Sequence, residues 1–179
     1  MMPVVVLEGI EGTGKTTLAA SLDGIIYRPL RPTLARLTAE ELATWAELVV
    51  PVNTYVEDIY TADLLAILRP AQTIILDRSM PSGLVYSDMA AWKSQALHVA
   101  WETRMLACRA KLVLLTRNVE QTADRLGAND SRNVPAILAK TQANFLKLYS
   151  MCLLDKIQID TTNLSSADVR EQVQAFIRG

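Results

Sequence analysis

Apolar residues along this chain fall into two alternating kinds of run. The first kind is short and nearly continuous: Pro3-Val4-Val5-Val6-Leu7, Gly24-Ile25-Ile26-Tyr27, Thr73-Ile74-Ile75-Leu76-Asp77, Lys111 to Thr116, and Lys156-Ile157-Gln158-Ile159-Asp160. Continuous β-branched runs of this length read as strands of a parallel sheet, covered on both faces. The second kind is longer, with apolar residues at helical spacing. It covers Lys15 to Leu22, Pro32 to Val50, Val52 to Leu68, Val119 to Leu126 and Pro135 to Leu154, and one or two helices within Ser82 to Ala110. Pro51 should break the second and third of these. Pro135 is acceptable in a first turn. A final helix is announced by Ser165-Ser166-Ala167-Asp168, a serine cap followed by an acid.

Strand alternating with helix predicts an α/β fold, three layers deep, with a five-stranded parallel sheet and helices on both faces. Ligands then gather at the carboxyl ends of the strands. The 179 residues contain no repeat, low-complexity tract or linker, so a single domain over 1–179 is expected. Half the residues are apolar and 21% charged, which is a globular composition. A net charge of −1 gives no global case for a nucleic-acid or membrane-surface protein, although a local basic groove would escape this count. No apolar run approaches a membrane span. Met1-Met2-Pro3 leads straight into the first strand with no room for a signal peptide, so a cytoplasmic location is expected. Cys108 and Cys152 lie far apart without a neighbouring Cys/His cluster; they read as buried free thiols, and a structural zinc site is not expected.

Between the first strand and the first helix stands Gly9-Ile10-Glu11-Gly12-Thr13-Gly14-Lys15-Thr16, which fills the pattern G-x-x-x-x-G-K-[ST]. Strand, Gly-rich turn and helix together aim backbone N–H groups and the positive helix end at a bound polyphosphate. ATP is therefore expected against Gly9, Glu11, Gly12, Thr13, Gly14, Lys15, Thr16 and Thr17. Lys15, an exposed loop lysine in this reading, supplies a point charge on the β- and γ-phosphates. Thr16 supplies a hydroxyl to Mg²⁺. Asp77, an acid at the end of a buried strand with no packing role, is the candidate carboxylate for the metal, or else the partner of Arg78. Glu8 is a weaker metal-shell candidate.

A second segment, Asp77-Arg78-Ser79-Met80-Pro81-Ser82-Gly83-Leu84-Val85-Tyr86, places an arginine just past a strand end, where it can grip a phosphate, and an aromatic nearby that can stack on a base. Together with Glu8 to Thr17, it resembles the thymidylate kinase family, whose members carry E-G-x-[ED]-G-x-G-K-[ST]-T and D-R-[YH]-x-x-S-x-x-[AV]-[YF]. The resemblance runs over nearly the whole chain. It implies a P-loop kinase fold and a phosphoryl transfer from ATP. It also implies that Glu11 meets the acceptor sugar, that Arg78 binds the acceptor phosphate, and that Ser82 and Tyr86 lie along the nucleoside. A lid spanning 118–133 follows, with Arg125 and Arg132 as the catalytic candidates because no arginine stands between Gly9 and Gly14. Asn163, beyond the last strand, falls at the family's adenine-contacting loop.

The chain also departs from that pattern. Arg28-Pro29-Leu30-Arg31-Pro32 replaces R-E-P-G-G, which leaves Arg28 and Arg31 as basic groups at the acceptor loop. Ser87-Asp88 stands where relatives recognise thymine with a glutamine. The leading expectation is thus a kinase acting on a pyrimidine deoxynucleotide such as dTMP. Alternatives are a phage-type relative that phosphorylates 5-hydroxymethyluracil within DNA, a deoxynucleoside kinase, or a nucleotide-binding switch or ATPase. Expected partners are ATP with Mg²⁺ and a nucleotide-like acceptor, free or in DNA, with a homodimer allowed and no membrane. His98 and the tryptophans Trp45, Trp92 and Trp101 read as packing residues.

Overall fold

The computed structural model describes residues 4–28, 72–86, 91–127 and 134–179, with the side chains of 91–94 left aside. Several expectations lie outside these residues: the helices at Pro32 to Val50 and Val52 to Leu68, Arg31, Trp45, Ser87-Asp88 and Arg132. Five strands form the described sheet: β1 (Val4–Glu8), β2 (Ile25–Tyr27), β3 (Ile74–Asp77), β4 (Lys111–Thr116) and β5 (Asp155–Asp160). Their order is β2-β3-β1-β4-β5, and every pairing is parallel. Six helices accompany them: α1 (Lys15–Ser21), α2 (Met80–Tyr86), α3 (Ala91–Ala107), α4 (Val119–Leu126), α5 (Pro135–Met151) and α6 (Ser166–Arg178).

Period-two alternation within β1 divides the core. Val4 and Val6 face a cluster with Leu76, Met80, Trp101, Met105 and Leu154, roofed by α2, α3 and α5. Val5 and Leu7 face the opposite cluster of Leu18, Ala19, Val113, Val169 and Val173, roofed by α1 and α6. All four β1 side chains are at most 2% exposed, so each contributes on the order of 1.5–3 kcal/mol by burial. A third cluster of Ile10, Leu114, Leu138 and Phe145 packs α4 and α5 beneath the phosphate loop. The sheet is therefore covered on both faces, as the continuous apolar runs require.

Element ends follow local chemistry. Ser165 accepts from the Asp168 amide, and the Asp168 carboxylate accepts from the Ser165 amide at 3.0 Å, a reciprocal capping box. Asn118 caps α4 by accepting from the Gln121 amide at 3.0 Å. Residues 119–126 of the expected lid are thus a regular helix. α5 ends at Met151, three residues before the expected Leu154, because Cys152 is extended and the chain turns at once into β5. α2 begins at Met80 instead of Ser82, with Pro81 tolerated in its first turn.

Candidate functional site

The carboxyl ends of β1 and β3 lie side by side, and from this point the chain leaves in opposite directions across the sheet. The Gly9–Gly14 turn occupies the β1 side. Gly9 has φ 138°, and a Cβ there would lie 2.1 Å from the Leu115 carbonyl oxygen, so the turn can pass against β4 only as glycine. Gly14 opens α1 at φ 95° and brings no capping side chain. No side chain therefore competes with an anion for the first-turn amides. The turn is pinned from below. Thr13 Oγ1 donates to the Ile10 carbonyl at 3.0 Å, and Thr161 Oγ1 donates to the carbonyls of Thr13 and Thr116 at 3.3 and 3.1 Å.

Lys15 corrects the expectation of an exposed loop lysine. It is 5% exposed, and its Nζ donates to the Ile10 carbonyl at 2.5 Å and to Thr13 Oγ1 at 3.3 Å. Burial, followed by the neighbouring Arg78 charge, pulls this ammonium down to about 7; Glu11, Glu8 and Asp77 oppose the shift. The loop thus holds its cation in a desolvated place where an arriving polyphosphate would restore the full charge.

Thr16 Oγ1 donates to Asp77 Oδ2 at 2.9 Å, so the two residues expected at the metal do meet. The partner of Asp77 is Arg28, whose Nε lies 2.9 Å from the same oxygen, and not the adjacent Arg78. Arg28, expected at the acceptor, is therefore committed to Asp77, although its side chain remains 53% exposed. Two hard oxygen donors at this spacing fit Mg²⁺, which takes one or two protein oxygens and completes its shell with phosphate and water. Glu8 points elsewhere. Its carboxylate accepts from the Ser79 amide at 2.8 Å and from Ser82 Oγ at 2.5 Å, behind the start of α2. Burial pushes Glu8 up to about 7, against the pull of Ser82, Arg78, Lys15 and Ser79.

The residues expected at the acceptor converge on Arg78. This arginine has φ 77°, a left-handed conformation that costs a non-glycine residue roughly 1–2 kcal/mol. The geometry is held by its amide, which donates to the Leu7 carbonyl at 3.1 Å. The turn throws its guanidinium across the mouth of the phosphate loop. Nη2 lies 2.8 Å from Glu11 Oε2, a contact by distance without the alignment of a hydrogen bond. Nη1 donates to Ser82 Oγ at 3.2 Å and to the Gly9 carbonyl at 3.4 Å. The guanidinium carbon stands 5.5 Å from the centre of the Tyr86 ring, which meets Phe145 edge-on at 5.9 Å. Glu11, Arg78, Ser82 and Tyr86 form one cluster, and the Glu11 carboxylate lies on this side of the loop.

On the other side, a cleft of about 70 Å³ runs between the loop, α1, α4 and α6. Thr13, Gly14, Thr17, Arg125, Thr161 and Leu164 line it. Arg125, a catalytic candidate from the sequence, lines this cleft beside the phosphate loop. Asn163 is exposed and does not line the cleft, while its neighbours Thr161 and Leu164 do. Arg117 lines it too, and sequence reasoning missed it. Its Nη1 donates to the Thr161 carbonyl at 3.5 Å, and its amide donates to Gln142 Oε1 at 3.1 Å. The available signal was its place directly after β4, at the edge of the sheet where ligands collect.

Known proteins share this fold. The chain is 28% identical over 205 residues to a probable thymidylate kinase of Methanoculleus marisnigri, covering 98% of this chain and 92% of that one. The YorR protein of Bacillus subtilis, solved in complex with phosphorylated GDP, superposes with a TM-score of 0.67 at 20% identity, covering 98% of this chain and 95% of the other. A deoxyadenosine kinase from M. mycoides, solved with dCMP and dCDP, superposes with a TM-score of 0.57 at 13% identity, covering 97% and 98%. The same enzyme with bound dATP gives 0.57 at 12% identity, covering 98% and 99%. These structures share the three-layer αβα fold of P-loop kinases. The resemblance drawn from the two sequence motifs thus extends along the chain. A family model described as an AAA domain matches residues 4–172, and with its phosphate loop at the sheet switch point the chain belongs to that family.

Proposed function

We propose that this chain transfers the γ-phosphoryl group of ATP, with Mg²⁺, to a pyrimidine deoxynucleotide, with dTMP to dTDP as the leading reaction. The chain is a phosphotransferase, a P-loop nucleotide kinase. The observation that carries the finer reading is the meeting of Arg78 with Glu11: an acceptor-side cation is held by a residue of the donor loop itself. A group bound at Arg78 then lies beside a phosphate bound at Lys15. Proximity of this kind supplies much of the acceleration in phosphoryl transfer, where the protein positions and neutralises.

In this mechanism an oxygen of the acceptor phosphate attacks the γ-phosphorus as the bond to the β-phosphate oxygen breaks and ADP leaves. The loop amides and Lys15 hold the β- and γ-oxygens. Arg78 holds the acceptor phosphate, while Ser82 and Tyr86 flank the nucleoside. Arg125 and Arg117 neutralise charge on the transferring group from the donor side, and Arg132 stays a candidate on the sequence alone. Thr16 and Asp77 would hold Mg²⁺, which would offset the negative charge of the phosphates. Among the described residues no helix is long and apolar enough to cross a membrane.

A phosphorylation screen with Mg²⁺–ATP tests the reading, using dTMP, other nucleoside monophosphates, thymidine and DNA carrying 5-hydroxymethyluracil as acceptors. Transfer to dTMP at the highest kcat/KM is expected. Transfer to thymidine or to DNA with none to dTMP overturns it, and ATP hydrolysis without any acceptor product turns the chain into a switch or ATPase.

A further inference from the structure

A second cluster of chemically competent side chains lies under α3, on the face of the sheet away from α1. His98 and Glu102 are one helical turn apart on α3, and Cys152 stands just past the end of α5. One ligand atom from each lies within 4.8 Å of the others, and all three residues are buried. The sequence held no sign of it, because the cysteine and the histidine come from separate helices.

We propose that His98, Glu102 and Cys152 form a binding site for a zinc ion that clamps α3 to the turn between α5 and β5. The donor set is that of zinc sites: one imidazole, one carboxylate and one sulfur. Two negative ligands and a neutral imidazole cancel the ion's charge, as a buried site demands.

The surroundings of the ligands support this reading independently. An amide of the α5–β5 turn serves the carboxylate: Leu153 N–H donates to Glu102 Oε1 at 2.5 Å. Such outer partners orient metal ligands and favour their deprotonated forms. The His98 ring is buried and stacks on Trp101, with ring centres 6.1 Å apart. A cavity of about 10 Å³ opens beside His98 and Cys152, which is room for about one water molecule. Forming the Zn–S bond breaks the Cys152 S–H bond and releases one proton to solvent. Tetrahedral zinc places its ligand atoms about 3.5 Å apart, so the cluster closes by roughly 1 Å on binding.

Co²⁺ titration of the metal-free full-length chain, without nucleotide, tests the site. A thiolate-to-Co²⁺ charge-transfer band in the near ultraviolet, saturating at one equivalent and displaced by Zn²⁺, is expected. Cys108→Ser should keep the band, Cys152→Ser should lose it, and His98→Gln and Glu102→Gln should weaken the metal at least ten-fold. Absence of the band in the unmodified chain, or its loss in Cys108→Ser with retention in Cys152→Ser, overturns the proposal. A second measurement covers variants that fail to fold. In Cys108→Ser, equimolar Zn²⁺ should slow alkylation of Cys152 more than ten-fold; an unchanged rate means that the three residues are a hydrogen-bonded core network and not a metal site.

Discussion

The two sides of the phosphate loop are built on different principles. On the donor side the recognising groups are backbone amides and arginines lining an open cleft, and the glycine geometry leaves no side chain to displace. On the acceptor side every recognising group already has a protein partner: Arg78 lies on Glu11 and Ser82, and Ser82 also donates to Glu8. On the donor side the loop amides meet no capping side chain, while Lys15 has to exchange its bonds to Ile10 and Thr13. The acceptor side must trade internal contacts for ligand contacts, and the difference in affinity between acceptors will reflect how well each one replaces them. That arrangement suits specificity, since a wrong acceptor leaves a desolvated arginine poorly paired.

Three changes break or sharpen the contrast. Lys15→Ala should act on the donor side alone and most severely. Turnover should fall by about 10³-fold or more, because the lysine's charge acts in a desolvated loop. The fold should survive, since the replacement removes a buried cation whose burial is unfavourable. Turnover assays with thermal unfolding check this, and full activity would remove the loop from the mechanism.

Next in size, Arg78→Ala should lower kcat/KM for the acceptor by about 10²-fold, the loss of one charge-assisted phosphate contact worth roughly 1.5–3 kcal/mol. The KM for ATP should move little. A defect confined to ATP would place Arg78 on the wrong side of the comparison.

The smallest effect is a pH dependence peculiar to the donor side. Lys15 is pulled from 10.5 to about 7 in the ligand-free protein, so between these values the folded chain binds fewer protons than the unfolded one. Stability of the ligand-free fold therefore rises with pH across that window. Polyphosphate needs the charged lysine, so ATP affinity should fall as pH rises above 7, by up to about tenfold per unit. Calorimetry in buffers of different ionisation enthalpy should register proton uptake on binding. A flat affinity from pH 7 to 9 would contradict the assignment.

Much of this was legible along the chain. The central strands β1, β3 and β4 appear where continuous apolar runs stand, because a strand covered on both faces needs nothing but apolar residues. Ser165 with Asp168, and Gly9 to Thr16, are equally plain, since a cap and a phosphate turn are made by neighbours a few positions apart. The motif residues Glu11, Arg78, Ser82 and Tyr86 come together at the mouth of the loop.

What stayed hidden has a common physical character. Which cation pairs with Asp77, why Glu8 turns behind α2 and not to the metal, how deeply Lys15 is buried, and where His98 meets Cys152 all depend on elements far apart in the chain. Spacing along a chain cannot reveal such pairings. Desolvation and Coulomb attraction act between neighbours in space, and strands β1, β3 and β4 become neighbours only when the sheet forms. Local chemistry thus settled the elements and the phosphate loop. Packing of the sheet chose the partners of every buried charge, because only there does the loss of water make the choice of partner matter.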